Sequence, residues 1–416
     1  MARKVVITGL GSLSTLGSSA SELWQSIMDK KVAYKAVPQA DPKIKAKFFA
    51  LLDEDSHRLD GFSKRNTKGL PLFARNALYS ARQALRQAFG DDFAIEQLGD
   101  PFRRGVIMGT GWGGYDEGNA NCMDYHRTSN ASSFSTIQNM GSVATAAVTM
   151  SWAFRGYQNT TVAACASGSI AIGDAFNVIR RGDADLMLAG GSESLKDTFN
   201  IWSIDIIGAL SQEQSDIRKA CCPFSMDRNG FILAEGASCV VLEDLESARK
   251  RGATILGEVV GYGNFSDAAN LTAPAADLLA RVHCIKQCLT QAEIEPDQID
   301  YINAHGTSTQ LNDLNETQSL KAALGNAAYE IPISSTKSYT GHQIGAAGAV
   351  ETAICMKAFE HRTLPGTLHL DNPDPACDLN YLPNEHHRPE RLNYALNLSF
   401  GFGGTNSVLL FKNARD

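Results

Sequence analysis

Thr161-Val-Ala-Ala-Cys165-Ala-Ser-Gly-Ser169 decides the fold, because it joins an apolar, β-branched run to a run of small residues. This join predicts a strand over residues 161–164 that leads directly into a helix over residues 167–181. Further short apolar runs alternate with helical stretches along the chain, at residues 5–8, 105–108, 186–189 and 237–243. Strands that alternate with helices in this way are typical of an α/β fold.

The length of the chain predicts more than one structural unit. Its 416 residues, 44% of them hydrophobic, exceed what one core usually holds. A second round of strands and helices begins near residue 254, with no low-complexity linker before it. We therefore expect two similar α/β halves, residues 1–250 and 251–416, that pack as one body.

Composition and charge argue against several classes of function. A net charge of −7 without a long basic run argues against nucleic-acid binding. No apolar stretch reaches the ~18 residues that span a bilayer, and Thr8 and Gly9 interrupt the apolar run near the N-terminus. We expect a cytoplasmic protein without membrane or nucleic-acid partners.

The nine cysteines predict free thiols, because their number is odd and they are scattered along a long chain. His283, Cys284 and Cys288 have helical spacing, and no second pair of ligands lies near them in the sequence. We interpret them as one face of a helix and predict no metal site.

Cys165 is the candidate nucleophile. At the N-terminus of the predicted helix it lies in the positive field of the helix dipole, which favours the thiolate and lowers the thiol pKa. Backbone N–H groups at this terminus can also stabilise an oxyanion. On this segment alone, a buried structural cysteine is the alternative.

Three later segments carry further candidates. His305 follows a predicted strand over residues 301–304, and His342 lies in a segment rich in small and hydroxyl residues. Either histidine alone also fits a buried core residue. Residues 397–406 form a glycine-rich turn between two predicted strands, which alone also fits a tight hairpin.

These candidates stand along the chain in a fixed order, which is Cys165, His305, Lys337, His342 and the Gly-Phe-Gly-Gly turn at 401–404. The order and spacing resemble those of the β-ketoacyl-acyl carrier protein synthases, in particular the bacterial type II enzymes of fatty acid synthesis. The resemblance covers nearly the full chain and includes the segments at 190–193, 223–231 and 370–374. It implies a thiolase-like fold, in which two duplicated α/β halves form a five-layered αβαβα body, usually as a homodimer.

The resemblance also implies an acyltransferase that forms a carbon–carbon bond. An acyl chain moves from the phosphopantetheine of an acyl carrier protein to Cys165. Malonyl-carrier protein then loses carbon dioxide, and its carbanion attacks the Cys165 thioester, which lengthens the chain by two carbons. No cofactor is expected beyond the phosphopantetheine of the carrier protein.

The resemblance also implies roles for the charged and imidazole side chains. His305 and His342 donate hydrogen bonds to the enolate oxygen, and His305 also assists loss of the carboxylate. Lys337 holds the histidine network electrostatically, with Glu351 as its buried counter-ion. Without the resemblance, a lysine in this segment would be interpreted as a surface residue.

Phe402 has two implied roles. Its N–H forms the oxyanion hole with that of Cys165, and its ring is a gate that moves to admit an acyl chain. Two loops are expected to move, and they contain Asp267, Thr272, Gly401, Gly403 and Gly404. The pantetheine arm is expected to bind Thr307 and Thr309.

Trp112 departs from the family pattern, which has a small or aliphatic residue at this position of the acyl pocket. Three interpretations stay open: the indole blocks long chains, it stacks on an unsaturated or aromatic acyl group, or it packs at a dimer interface. Trp202 and Ile204 belong to a second divergent segment, residues 200–208, and are expected to line the same pocket.

The surface that docks the carrier protein departs from the family as well. Gly208 stands where the family has an arginine, which leaves Lys64, Arg65 and Lys68 as a thinner basic patch. Two pathways therefore stay open. One is fatty acid biosynthesis, and the other is a dedicated type II polyketide or aryl-polyene pathway in which the chain pairs with a cysteine-less chain-length factor.

Two related classes of protein fit the sequence less well. A thiolase has a second catalytic cysteine near its C-terminus, whereas no cysteine follows Cys377 here. A chain-length factor lacks the nucleophile, whereas this chain has Cys165 and both histidines. We therefore expect a catalytic ketosynthase.

Overall fold

Strands and helices alternate along the chain, as the sequence predicts. A computed structural model describes residues 2–39, 41–53 and 59–414, without the side chain of Arg65. Up to residue 250 the elements are β1 (Val5–Leu13), α1 (Ala20–Met28), β2 (Lys35–Ala36), β3 (Phe48–Phe49), α2 (Lys64–Thr67), α3 (Leu72–Phe89), β4 (Arg104–Thr110), α4 (Tyr115–Thr128), α5 (Ser135–Asn139), α6 (Val143–Trp152), β5 (Gln158–Val162), α7 (Ser167–Arg180), β6 (Leu186–Glu193), α8 (Thr198–Asp205), α9 (Ile217–Ala220), β7 (Gly236–Asp244) and α10 (Leu245–Lys250). After residue 250 they are β8 (Gly257–Ser266), α11 (Leu279–Ala292), β9 (Tyr301–Asn303), α12 (Gln310–Leu324), α13 (Ala327–Glu330), β10 (Ile333–Ser334), α14 (Lys337–Thr340), α15 (Ala347–His361), β11 (Tyr394–Gly401) and β12 (Thr405–Asn413).

Two sets of five strands share one topology. The first has the order β5-β4-β6-β7-β1, and the second has the order β10-β9-β11-β12-β8. In each set, three parallel strands are followed by two antiparallel ones. The sets join where Val5 of β1 pairs with Val259 of β8. The boundary between the halves at residue 250 stays a prediction.

Helices fill the space between the two strand sets and cover both outer faces. The central helices α7 and α15 pack against each other and against strands of both sets, while α3 and α6 cover the first set and α11, backed by α12, covers the second. On β7, Val240 and Leu242 face the central helices, whereas Cys239 and Val241 face α3. This five-layered αβαβα arrangement confirms the predicted fold class.

Cysteines contribute to the packing of the second half. Cys284 and Cys288 lie on the buried face of α11, where their thiols donate to the carbonyls of Asn406 and Val408 on β12 at 3.4 and 3.2 Å. All nine cysteines are free thiols. In the described part of the chain, no helix combines the length and the apolar character that crossing a bilayer requires.

Position 173 must be glycine for the central layer to approach the second strand set. A Cβ on Gly173 would lie 2.2 Å from the ring of Tyr262 on β8. The hydroxyl of Tyr262 donates to Asp174 at 3.1 Å, which holds the ring in this place. Any side chain at position 173 must therefore displace the ring.

Gly173→Val is expected to lower the free energy of unfolding by about 3 kcal/mol, because the added methyl groups overlap the Tyr262 ring. Urea unfolding followed by circular dichroism measures this change. The control is Lys286→Val, which places the same side chain on the exposed face of α11 and should cost less than about 1 kcal/mol. Equal stability of Gly173→Val and the wild type would contradict the packing described here.

Candidate active site

Cys165 lies at a sharp turn between β5 and α7. β5 ends at Val162 rather than at residue 164 as predicted, because the chain turns at Ala164, whose φ is +46°. Only the turn Ala164–Ala166 then precedes α7. A positive φ strains an alanine, and such strain persists only where the surrounding structure holds it. The predicted strand–turn–helix unit is present, with this correction to the strand end.

Cys165, His305 and His342 meet at the inner end of one cavity. His305 follows β9 and His342 follows α14, so three distant segments supply the cluster. The thiol sulfur and a ring nitrogen of each histidine lie within 4.8 Å of one another. The two imidazole rings are 5.3 Å apart and nearly perpendicular. All three side chains are buried, so the structure brings together the residues that the sequence proposed.

The cavity has a volume of about 310 Å³ and extends from Cys165 to exposed residues such as Leu311. Thr307 and Thr309 line it, with their hydroxyl oxygens 2.9 Å apart. Asp267 and Thr272 of the loop after β8 form part of the same wall. A thioester on an extended arm can reach the thiol through this cavity.

Both histidines are uncharged in this buried site. Burial, and next the positive charge of Lys337, lower the pKa of His305 and of His342 well below the usual imidazole value. The N–H of Ile344 donates to Nδ1 of His342 at 3.3 Å, so Nε2 carries the proton. Among the described residues, this Nε2 has no hydrogen-bond partner. His342 therefore offers a hydrogen-bond donor to a substrate oxygen, rather than a lone pair to a metal ion.

Lys337 is a buried cation, not the surface residue that its segment alone suggests. It forms an ion pair with Glu351, and the two side chains are only 1% and 3% exposed. Burial raises the pKa of Glu351 to about 7, against the lowering effect of Lys337. Because Lys337 shifts the pKa of Cys165 and of both histidines, its charge acts on the whole cluster.

The expected low pKa of the Cys165 thiol is wrong for this buried thiol. Burial raises the thiol pKa to about 12, although the charge of Lys337 and the N–H of Phe402 favour the thiolate. The loss of water around the thiolate thus outweighs the position at a helix N-terminus. The backbone N–H groups of Cys165 and Phe402 both interact with the sulfur. They are the two groups to which the family resemblance assigns the oxyanion hole.

Hydrogen bonds join the gate turn, Phe402–Gly404, to the loop after β8. The N–H of Gly403 donates to the carbonyl of Leu271 at 2.7 Å, and the N–H of Asp267 donates to that of Gly404 at 2.8 Å. Gly403 and Gly404 have φ values of +78° and +72°, which glycine adopts without strain. Movement of either loop must break these bonds, and the movement itself stays a prediction.

Trp112, Trp202 and Ile204 pack in one apolar cluster with Cys165. None of the three lines the open cavity. Ile204 is buried, and both indoles are partly buried. Their role as walls of an acyl pocket stays a prediction.

The structure of one chain does not bring the predicted basic patch to the cavity. Lys64 is exposed on α2, which packs against α6, and Lys68 is exposed in the turn just after α2. Neither residue lines the cavity. The side chain of Arg65 lies outside the described residues.

Sequence reasoning missed two charged residues beside His305. The carboxylate of Glu316 accepts the N–H groups of His305 and Gly306 at 2.7 and 2.8 Å, which fixes the backbone that carries the imidazole. Arg281 lines the cavity and lies over the ring of Phe400 at 4.1 Å. Acidic and basic residues on a helix usually indicate a solvated face, so neither residue could be recognised from its local sequence.

Glu193 is a third functional residue that sequence reasoning missed. Its buried carboxylate accepts the N–H groups of Gly111, Trp112 and Gly345 at 2.6, 3.3 and 3.0 Å. Burial raises the pKa of Glu193 to about 7. A signal was available, because this glutamate comes soon after the predicted strand over residues 186–189 and the glycine pair that follows it.

The high thiol pKa predicts how Cys165 reacts with iodoacetamide. The alkylation rate should rise about tenfold per pH unit between about pH 6 and pH 9, because the thiolate is the reactive form. Lys337→Met should slow the reaction at each pH, since loss of the cation raises the thiol pKa further. Peptide mapping separates Cys165 from the exposed Cys122, which reports on the reagent. A rate that is already constant at pH 7 would contradict the burial effect.

The chain matches two family models and a full-length relative. Residues 2–248 match the beta-ketoacyl synthase N-terminal domain, and residues 256–371 match the beta-ketoacyl synthase C-terminal domain. The 3-oxoacyl-[acyl-carrier-protein] synthase 2 of Coxiella burnetii is 37% identical over 416 residues, which cover 100% of this chain and 99% of the relative.

Solved ketosynthases have the same fold. A type II polyketide ketosynthase, in complex with its acyl carrier protein and bound to a hexaketide, is 31% identical with a TM-score of 0.90, and 100% of each chain is covered. The ishigamide ketosynthase/chain length factor is 27% identical with a TM-score of 0.89, and the match covers 99% of this chain and 100% of that one. Together with the two family models, these matches show that the chain belongs to the β-ketoacyl synthase family.

Proposed function

We propose that this β-ketoacyl synthase condenses malonyl-acyl carrier protein with an acyl group held on Cys165. Carbon dioxide is lost, and the acyl chain grows by two carbons in fatty acid biosynthesis. The observation that carries the proposal is the thiol of Cys165 beside two uncharged histidines at the inner end of one cavity. The similarity to a 3-oxoacyl-[acyl-carrier-protein] synthase 2 supports the same reaction.

The first stage transfers the acyl chain to the enzyme. The sulfur of Cys165 attacks the thioester of acyl-carrier protein, and the proton of the thiol ends on the departing pantetheine thiol. The N–H groups of Cys165 and Phe402 hold the developing oxyanion. Because the resting thiol is buried and protonated, it is protected until a thioester occupies the cavity.

The second stage forms the new carbon–carbon bond. His342, through its Nε2–H, and His305 bind the thioester oxygen of the malonyl group, where negative charge develops as carbon dioxide leaves. The carbanion attacks the acyl thioester on Cys165, and the sulfur leaves as a thiolate. Uncharged imidazoles suit this role, because they stabilise an enolate without protonating its carbon.

The remaining site residues hold this arrangement. Burial and, after it, the charge of Lys337, which pairs with Glu351, keep both histidines uncharged. Thr307 and Thr309 bind the pantetheine arm along the cavity wall. The ring of Phe402 opens the way to the apolar cluster when an acyl chain enters, and no cofactor is needed beyond the phosphopantetheine of the carrier protein.

A dedicated polyketide or aryl-polyene ketosynthase is the second candidate. Trp112 and Trp202 favour it, because they place two indoles in the apolar cluster around Cys165. Flat aromatic walls stack on a conjugated acyl chain better than on a saturated one. The structural similarity to a polyketide ketosynthase is compatible with this pathway.

The acyl carrier protein is one partner, and a second chain is the other. β5 ends its strand set and leaves an unpaired edge. Val162 on this edge is exposed, as are Met123 on α4, Ile137 on α5 and Met140 directly after α5. We assign this face to a homodimer, with a chain-length factor as the alternative partner. We further propose a cytoplasmic enzyme, which the nine free thiols support.

Cys165→Ala is expected to abolish acylation by acyl-carrier protein, measured by intact mass. His342→Ala should still become acylated, but its condensation with malonyl-carrier protein should slow by about 10²–10³-fold, because the enolate loses a donor. Cys122→Ala, which removes an exposed thiol, is the matched control and should react like the wild type. Acylation of Cys165→Ala at the wild-type rate would sink the proposed function.

Trp112→Gly is expected to shift acylation toward longer chains, because removing the indole frees space beside Cys165. The measurement is the rate of acylation by carrier proteins that bear chains of increasing length. The rate with the shortest chain serves as the internal control for folding. The role of Trp112 in the pocket fails if the chain-length profile of Trp112→Gly equals that of the wild type.

A further inference from the structure

Arg281 is a buried cation in the wall of the Cys165 cavity. It lies on α11, lines the cavity and is 5% exposed. Among the described residues that line this cavity it is the only cation, since both histidines are uncharged. Burial lowers the pKa of Arg281 to about 10, against the opposite effect of nearby carboxylates, so the guanidinium keeps its charge at neutral pH. A buried charge is costly unless a partner compensates for it.

The carboxylates near Arg281 are occupied by other donors. Asp267, Asp313 and Glu316 act on its pKa, yet none is its ion-pair partner in the described part of the chain. Their oxygens instead accept hydrogen bonds from Asn406 and the N–H of Ala275, from the N–H of Phe224, and from the N–H groups of His305 and Gly306, respectively. The positive charge of Arg281 is therefore left without a direct partner.

The guanidinium of Arg281 also has a donor available for a ligand. Its Nη1 donates to Oδ1 of Asn312 at 3.1 Å. Its Nε is buried and has no hydrogen-bond partner among the described residues. A guanidinium binds a carboxylate through two parallel N–H donors, and the edge that contains Nε can form such a contact. A charge without a direct partner and a free donor, in the wall of a substrate cavity, together indicate a site for an anionic group of the substrate.

Arg281 lies on the His305 side of the cavity. Its guanidinium carbon is 4.1 Å from the centre of the Phe400 ring, and that ring contacts the His305 ring with 5.8 Å between the centres. After burial and the charges of Lys337 and His342, the charge of Arg281 also lowers the pKa of His305. The guanidinium therefore acts on the part of the cavity where the histidines bind the substrate.

The malonyl group brings an anion to this part of the cavity. Its carboxylate is separated by a single methylene from the thioester carbon, whose oxygen binds His305 and His342 in the proposed reaction. The acyl group that is transferred to Cys165 in the first stage has no such charge. The phosphate of the pantetheine arm is also an anion, but it is at the opposite end of the arm from the thioester. The carboxylate of the malonyl group is therefore the anion that fits the position of Arg281.

We propose that Arg281 binds the carboxylate of the malonyl group and thereby selects and orients the substrate of the second stage. The inference rests on the proposed function and deepens it. When the bond between the carboxylate and the α-carbon breaks, its electron pair stays with the α-carbon, and the carboxylate leaves as neutral carbon dioxide. Negative charge then moves away from Arg281 to the thioester oxygen at His305 and His342. Because the contact is strongest before the reaction, it lowers KM more than it raises kcat.

The test compares two substrates that share the same phosphopantetheine. Malonyl-carrier protein has the carboxylate, and octanoyl-carrier protein lacks it. In condensation with octanoylated enzyme, Arg281→Gln should raise the KM for malonyl-carrier protein about tenfold or more, because a charge-assisted contact is lost, while kcat stays within about threefold of wild type. In the acylation step, the KM for octanoyl-carrier protein should change less than about threefold.

Two further variants and one substrate analogue complete the test. Arg281→Lys keeps the charge and should recover part of the malonyl KM. Lys286→Met removes a positive charge from the exposed face of α11 and should leave both KM values unaltered. The analogue is carrier protein loaded with a malonamyl group, in which a neutral amide replaces the carboxylate. With the wild type, its inhibition constant should be about tenfold or more above the KM for malonyl-carrier protein, and this measurement does not depend on the folding of a variant.

Three results would overturn this role of Arg281 while the proposed function stands. In the first, Arg281→Gln raises the KM for both substrates equally, which assigns the guanidinium to the shared phosphate or to packing on Phe400. In the second, Arg281→Gln leaves the KM for malonyl-carrier protein unchanged. In the third, the malonamyl analogue inhibits the wild type with a constant equal to the malonyl KM, which shows that the negative charge adds no affinity. If wild-type Cys165 is neither acylated nor able to condense with malonyl-carrier protein, the proposed function fails and this inference fails with it.

Discussion

The site depends on the close approach of two helix N-termini at the centre of the molecule. α7 and α15 start from turns with the same backbone, since Ala164 and Ile344 both have a φ of +46°. Glycine permits the contact between them: a Cβ on Gly168 would lie 2.8 Å from the carbonyl oxygen of Gly345, and a Cβ on Gly345 would lie 2.4 Å from the nitrogen of Gly111. Side chains at these positions would separate the helices and, with them, the nucleophile from its histidines.

Burial sets the electrostatics of the assembled site. It disfavours each charged form, and so the thiol keeps its proton, the imidazoles stay uncharged and the pKa of Glu351 rises to about 7. Lys337 retains a counter-ion in Glu351, which offsets the cost of burying a cation. Without a substrate, the protonated thiol and the uncharged imidazoles therefore carry no net charge. Negative charge on the sulfur or on a substrate oxygen develops only as bonds to the substrate form or break.

Local patterns in the sequence predict most of the fold but only part of the site. The alternation of strands and helices, the turn at Cys165 and the order of the later motifs are local features, and the structure contains them. The thiol pKa was wrong in sign because it depends on how much protein covers the sulfur, which a helix N-terminus does not reveal. Glu193 and Glu316 were missed because their partners are backbone N–H groups, some of them distant in the chain. Lys64 and Lys68 were recognisable as basic, but whether they line the cavity depends on how the layers assemble.

The duplicated architecture contains two helix-terminal turns of the same shape but only one thiol. In the second turn Gly345 occupies the place that Cys165 has in the first, and its N–H is bound by the carboxylate of Glu193 at 3.0 Å. An internal carboxyl group thus takes the position that the proposed oxyanion takes at the first turn. The two helix termini of the pseudo-symmetric body therefore differ in chemistry. The N-terminus of α7 is free to bind a substrate, whereas the turn before α15 binds Glu193 and so connects the two halves.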